Sequence, residues 1–291
     1  MRFATLEING RPTVVVVSGD MKNYCEVAEV LPGFAGDMVD LIERMPEAPK
    51  LGAVKNWQPI GGKRVLAPIN APRKNIFCVG KNYHDHAKEF SQSGFDTSAN
   101  KGEVAPPLPI YFTKPSTTVI GDGADVSAFA DLTSQLDYEV ELAVVIGKSG
   151  RGISKADALK HVWGYTIIND VTARDMQQNH RQWFLGKSLD TFCPMGPWLV
   201  SADEVESTKL PVQCWINGEL RQDSNTSDLI FDIPTIIETL SAGMTLHPGD
   251  VIATGTPAGV GIGFKPPKFL KVGDVMRLSI GNLGTLTNTV R

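Results

Sequence analysis

The stretch LDYEVELAVVIG, residues 136–147, constrains this chain more than any other segment. Period-two alternation reads it as a β-strand with Tyr138, Val140 and Leu142 on one side and Asp137, Glu139 and Glu141 on the other. Its continuation, AVVIG, is apolar on both faces, as in a strand entering a core. Same-face positions on a strand lie about 6.5–7 Å apart, so Glu139 and Glu141 can converge on one point. Two ionised carboxylates about 4 Å apart repel by about 4 kcal/mol at an effective dielectric of about 20, and burial adds a further desolvation cost. A solvated edge strand would escape both costs, but the apolar continuation argues against one. A hard divalent cation removes the repulsion, and oxygen-only ligands suit Mg2+ or Mn2+ rather than zinc.

A third ligand is expected from WGYTIINDVTARDMQ, residues 163–177. GYTII reads as a second inward strand that ends at Asn169-Asp170 and turns into a helix from about Thr172. Such a helix would place Asp170, Arg174 and Gln177 on one face, at i, i+4 and i+7. The plainer reading makes Asp170 a helix cap. A cation flanked by Arg174 and Lys187 would receive an anionic substrate.

The rest of the chain narrows the class. With 291 residues and 42% hydrophobic content it can bury a large core. A net charge of −4 with no basic run argues against nucleic acid as a partner. No apolar run is long enough for a membrane span, and no signal-peptide pattern opens the chain. Cys25, Cys78, Cys193 and Cys214 lack metal-ligand spacing and fit a reduced, cytoplasmic protein.

Asn9-Gly10 between two β-prone runs signals a hairpin. Helices are expected near Tyr24–Leu31 and at GDMVDLIERM, where Met38, Leu41, Ile42 and Met45 share a face. Proline-rich extended chain places a boundary near residues 66–72, giving a small N-terminal α/β domain, 1–69, and a larger domain, 70–291. The larger part is rich in strands and turns and lacks the strand–helix alternation of a doubly wound fold. The expected class is therefore α+β, mostly β. One further helix, DIPTIIETLSAG, has Asp232 as its cap and Pro234 in its first turn.

Five ordered blocks, FCVGKNYHDHAKEF, DYEVELAVVIG, GYTIINDVTARDMQ, LGKSLDTFCPMGPWLV and PGDVIATGTPAGVG, resemble the signature blocks of the fumarylacetoacetate hydrolase family. The resemblance runs from about residue 70 to the end and implies a fumarylacetoacetase-like mixed β-sandwich or roll in a homodimer. It implies that Glu139, Glu141 and Asp170 are metal ligands for Mg2+ or Mn2+, with Ca2+ able to replace them in crystals. It implies an H-x-x-E dyad, His86 and Glu89, on a short lid helix, and substrate contacts at Arg174, Gln177, Lys187 and Thr256. Asp137 is expected at most to support that site or to partner a Lys or Arg.

Family members act on 2-oxo acids, where a developing enolate must be stabilised. A divalent ion and Lys187 suit the growing oxyanion, and Arg174 suits a carboxylate. His86 and Glu89 suit activation of water. The resemblance implies hydrolytic carbon–carbon cleavage of an acylpyruvate-like 2,4-dioxo acid. Its alternatives are decarboxylation of oxaloacetate and isomerisation or decarboxylation of a 2-hydroxy-dienedioate in aromatic catabolism. SQSGFDTSANKGEVAPPLP, residues 91–109, reads as an ordering lid.

Other signals are set aside. TPAGVGIG spaces Gly259, Gly261 and Gly263 alternately and no helix follows, which excludes a dinucleotide loop. Ser188 lacks a nucleophile elbow. Cys193 is read as structural, Trp183 and Phe184 as core, and His161, His180 and His247 as lacking ligand spacing.

Overall fold

The computed structural model describes residues 1–47, 51–52, 54–94 and 105–291. Most of segment 91–109, expected to form a lid, lies outside the described residues.

Two large sheets and one two-stranded ladder build the described part of the molecule, as expected for a mostly-β α+β fold. The larger runs in the order Gln58–Pro59, Asn23–Glu26, Arg11–Val17, Arg2–Ile8, Cys193–Ser201, Val162–Asn169, Val140–Ile146, Val251–Ala253, Ile76–Gly80 and Ile110–Lys114. The smaller is Glu219–Asn225, Pro211–Ile216, Val275–Ile280, Thr285–Val290 and Asp125–Val126. Leu142, Val144 and Ile146 face Val212, Cys214, Ile216, Met276, Leu278 and Leu286 in one buried core between the sheets. Ala143 and Val145 face the opposite side, into a second core with Phe3, Met38, Leu41, Ile42 and Trp163. A central strand covered on both faces must be apolar at every position, which accounts for the run AVVI. Each such aliphatic side chain contributes about 1.5–3 kcal/mol by leaving water.

At the N-terminus, Asn9 and Gly10 adopt φ of 52° and 73°, the paired positive values of a tight hairpin turn. The hairpin extends the large sheet, since Arg2 and Phe3 pair with Val200 and Leu199. Helix Met38–Arg44 starts at a reciprocal cap between Asp37 and Asp40 and buries Met38, Val39, Leu41 and Ile42.

Three local expectations are corrected. Residues 24–26 belong to strand Asn23–Glu26, leaving only the short turn Val27–Val30 as helix, because Tyr24 and Cys25 pair with Val17 and Val16. The acidic strand is broken: Leu136–Asp137 pairs with Thr172–Ala173, and Val140–Ile146 begins after Glu139. The helix expected from Thr172 starts at Arg174, because Thr172 and Ala173 are held in that small ladder. Asp170 is therefore off the helix and does not cap it.

No helix among the described residues is long and apolar enough to cross a membrane.

Candidate active site

Register brings the carboxylates together. Strands Val140–Ile146 and Val162–Asn169 are antiparallel with Val140 opposite Asn169, so Glu139 and Asp170 meet where both strands end. Two hydrogen bonds lock this meeting. Asp170 N donates to Glu139 O at 2.9 Å, and Glu139 N donates to Asn169 Oδ1 at 3.0 Å. Glu141, two residues along the same face, completes a set whose oxygens lie within 4.8 Å of one another, all three buried.

Three buried cations surround the set. Lys187 Nζ bonds Glu139 Oε2 at 2.9 Å and Asp170 Oδ2 at 2.7 Å. Lys114 Nζ donates to Asp170 Oδ1 at 2.6 Å and to the carbonyls of Val171 and Lys187. Arg174 Nη2 approaches Glu139 Oε1 to 2.6 Å, off the line of a hydrogen bond, and has no other partner among the described residues. Burial opposes ionisation of Glu139, but Lys187, Arg174 and His86 outweigh it and hold the carboxyl well below its usual range. Burial likewise opposes the charge on Lys187, and Asp170 and Glu139 overcome it, raising its pKa.

Glu141 is different. Gly255 N donates to its Oε2 at 2.8 Å, but no Lys or Arg among the described residues forms an ion pair with it. Burial first, then Asp170 and Glu139, push its carboxyl well above the ordinary value. A donor set of three buried carboxylates, one lacking a counter-charge, fits a hard divalent cation.

His86 Nδ1 lies 3.2 Å from Glu89 Oε2 on helix His84–Gln92, an i, i+3 pair on one face. Glu89 also accepts from Gly259 N at 3.0 Å. The loop dismissed as a nucleotide site thus has another use. Its amides and that of Gly255 just before it serve three carboxylates: Gly255 binds Glu141, Gly259 binds Glu89, and Gly261 binds Asp137 at 2.6 Å. Side chains are excluded where the contacts are closest. A Cβ on Gly263 would stand 1.8 Å from Glu89 Oε1, and one on Gly261 would stand 2.6 Å from Asp137 Oδ1.

His86, Glu139, Glu141, Arg174, Gln177, Lys187 and Thr256 line one cavity, with Lys81, Phe90, Phe112 and Trp183 on its other walls. Its volume is about 20 Å3, the scale of a single ion or water. Gln177 Oε1 accepts from Arg174 Nη1 at 3.2 Å, and Thr256 Oγ1 from Gln222 Nε2 at 2.8 Å. All nine residues singled out in the sequence therefore converge, with Asp170 and Glu89 one bond behind the cavity wall.

Sequence reasoning missed four contributors. Lys114 ends an ordinary-looking strand, and Gln222 lies on the smaller sheet; neither carries a local signal. The glycine loop showed its spacing but not its ligands. Trp183 is core as read, buried with Phe90, Val260 and Ile262, but it also forms a cavity wall, packed edge-on against Phe90 and Phe112, while Phe184 is exposed rather than core. Cys193 is fully buried, and burial pushes its thiol up to about 12.

Comparison with known proteins adds an independent line. Residues 75–291 match the family model described as fumarylacetoacetate (FAA) hydrolase C-terminal. The chain is 56% identical over 228 residues to the oxaloacetate tautomerase YisK of Bacillus subtilis, covering 78% of this chain and 73% of that protein. It is 41% identical to a fumarylacetoacetate hydrolase structure from Exiguobacterium antarcticum, with a TM-score of 0.87 over 100% of this chain and 99% of the other. It is 30% identical, with a TM-score of 0.74, to maleylpyruvate hydrolase from Sphingobium sp. SYK-6 in complex with manganese (II) ion and pyruvate, covering 100% of this chain and 98% of that one.

Proposed function

The chain belongs to the fumarylacetoacetate hydrolase family, and from that premise we propose that it interconverts the enol and keto forms of a compact 2-oxo diacid, oxaloacetate or a near relative. The observation that carries this reading is the lining of the cavity. Carboxylates and cations share its walls with Phe90, Phe112 and Trp183, Lys187 lying 5.1 Å from the Phe112 ring and Arg174 6.0 Å from the Phe90 ring. The buried cations Lys187 and Arg174 suit the two carboxylates of a diacid better than the single carboxylate of an acylpyruvate. The similarity to an oxaloacetate tautomerase points the same way. Hydrolytic cleavage, the main expectation from the sequence, is supported less well than its alternatives.

Glu139, Glu141 and Asp170 would hold Mg2+ or Mn2+. Bound there, the cation supplies Lewis-acid stabilisation of negative charge on the 2-oxygen. His86 acts on carbon: its imidazole takes a proton from C3 of the keto form and returns it to the 2-oxygen, ending in its starting state. Glu89 supports the imidazolium and fixes the ring through Nδ1. Lys187, kept protonated by its two carboxylates, donates toward the enolate oxygen. Arg174 takes the distal carboxylate through the Nη2 group that lacks a linear partner. In the reverse direction each proton movement is retraced.

The test follows enol-oxaloacetate by absorbance, with pyruvate formation and acetylpyruvate cleavage measured in parallel. Chelated protein should be inactive, and Mg2+ or Mn2+ should restore enol consumption with keto-oxaloacetate as product. His86→Ala should lower the rate by about 10²–10⁴-fold. Stoichiometric pyruvate would make the protein a decarboxylase instead, and faster cleavage of acetylpyruvate would return it to hydrolysis.

A further inference from the structure

We propose that Asp137 is a positioning residue that aims Arg174 at the second carboxylate of the substrate and so selects diacids over monoacids; this rests on the tautomerase reading for the identity of the diacid. Asp137 is fully buried and saturated with donors. Its Oδ1 accepts from Tyr138 N at 2.9 Å and Gly261 N at 2.6 Å. Its Oδ2 accepts from Ile262 N at 3.2 Å and Arg174 Nε at 2.9 Å.

Two features separate this arrangement from a generic buried ion pair. Asp137 engages the guanidinium only at Nε, so the terminal nitrogens meet cavity-lining groups, Gln177 at Nη1 and Glu139 at Nη2. Nη1 rests on Gln177, and Nη2 lacks a linear hydrogen bond although Arg174 is buried. Asp137 also competes with Glu139, whose Oε1 is only 2.6 Å from Nη2. Without the Asp137 charge, Glu139, already 2.6 Å from Nη2, is the only anion left to hold Arg174 among the described residues, and the guanidinium stays on a candidate ligand of the cation instead of turning to the substrate. Neutral amides need only an acceptor at this position; the guanidinium needs a charge, kept in place by a loop that admits no side chain at Gly261.

The experiment compares Asp137→Asn with the wild type, both loaded with Mn2+. Calorimetry measures binding of difluoro-oxaloacetate, which cannot enolise, and of pyruvate, which lacks the second carboxylate. The substitution should weaken difluoro-oxaloacetate about tenfold, the effect of a lost charge-assisted contact, and leave pyruvate affinity unchanged. For oxaloacetate turnover, KM should rise by a similar factor while kcat stays within about threefold. The thermal shift produced by Mn2+ should persist. Equal weakening of both ligands, unchanged binding of both, or a fall in kcat at constant KM would overturn the proposal. Where Asp137→Asn fails to fold, Gly261→Ala displaces the carboxylate without removing its charge and should give the same split, with the same outcomes overturning it. Wild-type protein that binds difluoro-oxaloacetate yet leaves oxaloacetate unchanged would refute the tautomerase reading while still judging Asp137.

Discussion

Lys114 Nζ donates to Asp170 Oδ1 at 2.6 Å, and neither side chain is accessible to solvent. Asp170 thereby meets two ammonium groups, one at each oxygen, since Lys187 bonds Oδ2 at 2.7 Å. Lys114 also grips the Lys187 carbonyl, so one buried lysine fixes both a candidate ligand and the segment that carries its neighbour. Lys114→Met keeps the length of the side chain and removes the charge. Unfolding in denaturant should show a loss of about 3–5 kcal/mol, the cost of breaking a buried ion pair on one side. A loss below 1 kcal/mol would mean that Lys187 alone satisfies Asp170.

Glu141 should behave in the opposite sense. Its ionised form is buried beside two other carboxylates without an ion-pair partner among the described residues. In chelated protein, Glu141→Gln should leave the melting temperature unchanged or raise it, because a poorly compensated charge is gone. The same substitution should abolish the thermal shift produced by added Mn2+. A chelated variant that melts well below wild type would show that Glu141 has a stabilising partner of its own.

The Glu89 carboxylate depends on glycine at a distance in sequence. Gly263→Ala would place a methyl group within 1.8 Å of Glu89 Oε1 and force that side chain off Gly259 N. Steady-state kinetics should show kcat reduced by about tenfold or more, within the range attributed to general acid–base groups, with KM changed less. Retention of wild-type kcat would detach Glu89 from the chemistry.

Trp183 forms one wall of the cavity, packing so closely on Gly80 that a Cβ there would lie 2.1 Å from its ring. Trp183→Leu removes that wall and should destabilise the protein by about 2–4 kcal/mol, as other large-to-small core changes do. It should also improve turnover of longer 2-oxo diacids relative to oxaloacetate in a competition assay. An unchanged preference would place the specificity elsewhere.

Asp232 gives a pH-dependent stability contribution away from the site. Burial opposes its ionisation, but the hydrogen bonds from Thr235, followed by Lys155, outweigh it and hold the carboxyl below its usual range. A depressed native pKa adds stability above the ordinary aspartate value of about 4, and that contribution is lost as pH falls through the native value. Asp232→Ala should cost about 1 kcal/mol at pH 7, the usual worth of a helix cap, and less as the pH is lowered below 4. An effect that grows toward acid pH would have the wrong sign.

By itself the sequence determined what is local or periodic. The Asn9-Gly10 hairpin, the amphipathic face of Met38–Arg44, the Asp232 cap and the two-sided apolar run 142–146 each follow from the properties of neighbouring residues. The ordered motifs also made the nine candidate site residues legible. Only the tertiary structure decided how those residues meet. The break after Asp137 arises because Leu136–Asp137 is drawn into a ladder with Thr172–Ala173, and that ladder delays the helix to Arg174. Lys114, Gln222 and the amides of Gly255, Gly259 and Gly261 reach the carboxylates from strands and loops remote in the chain. The reason is physical: alternation and capping are encoded within a few residues, whereas a buried charge must find its compensation wherever the packed sheets bring a donor.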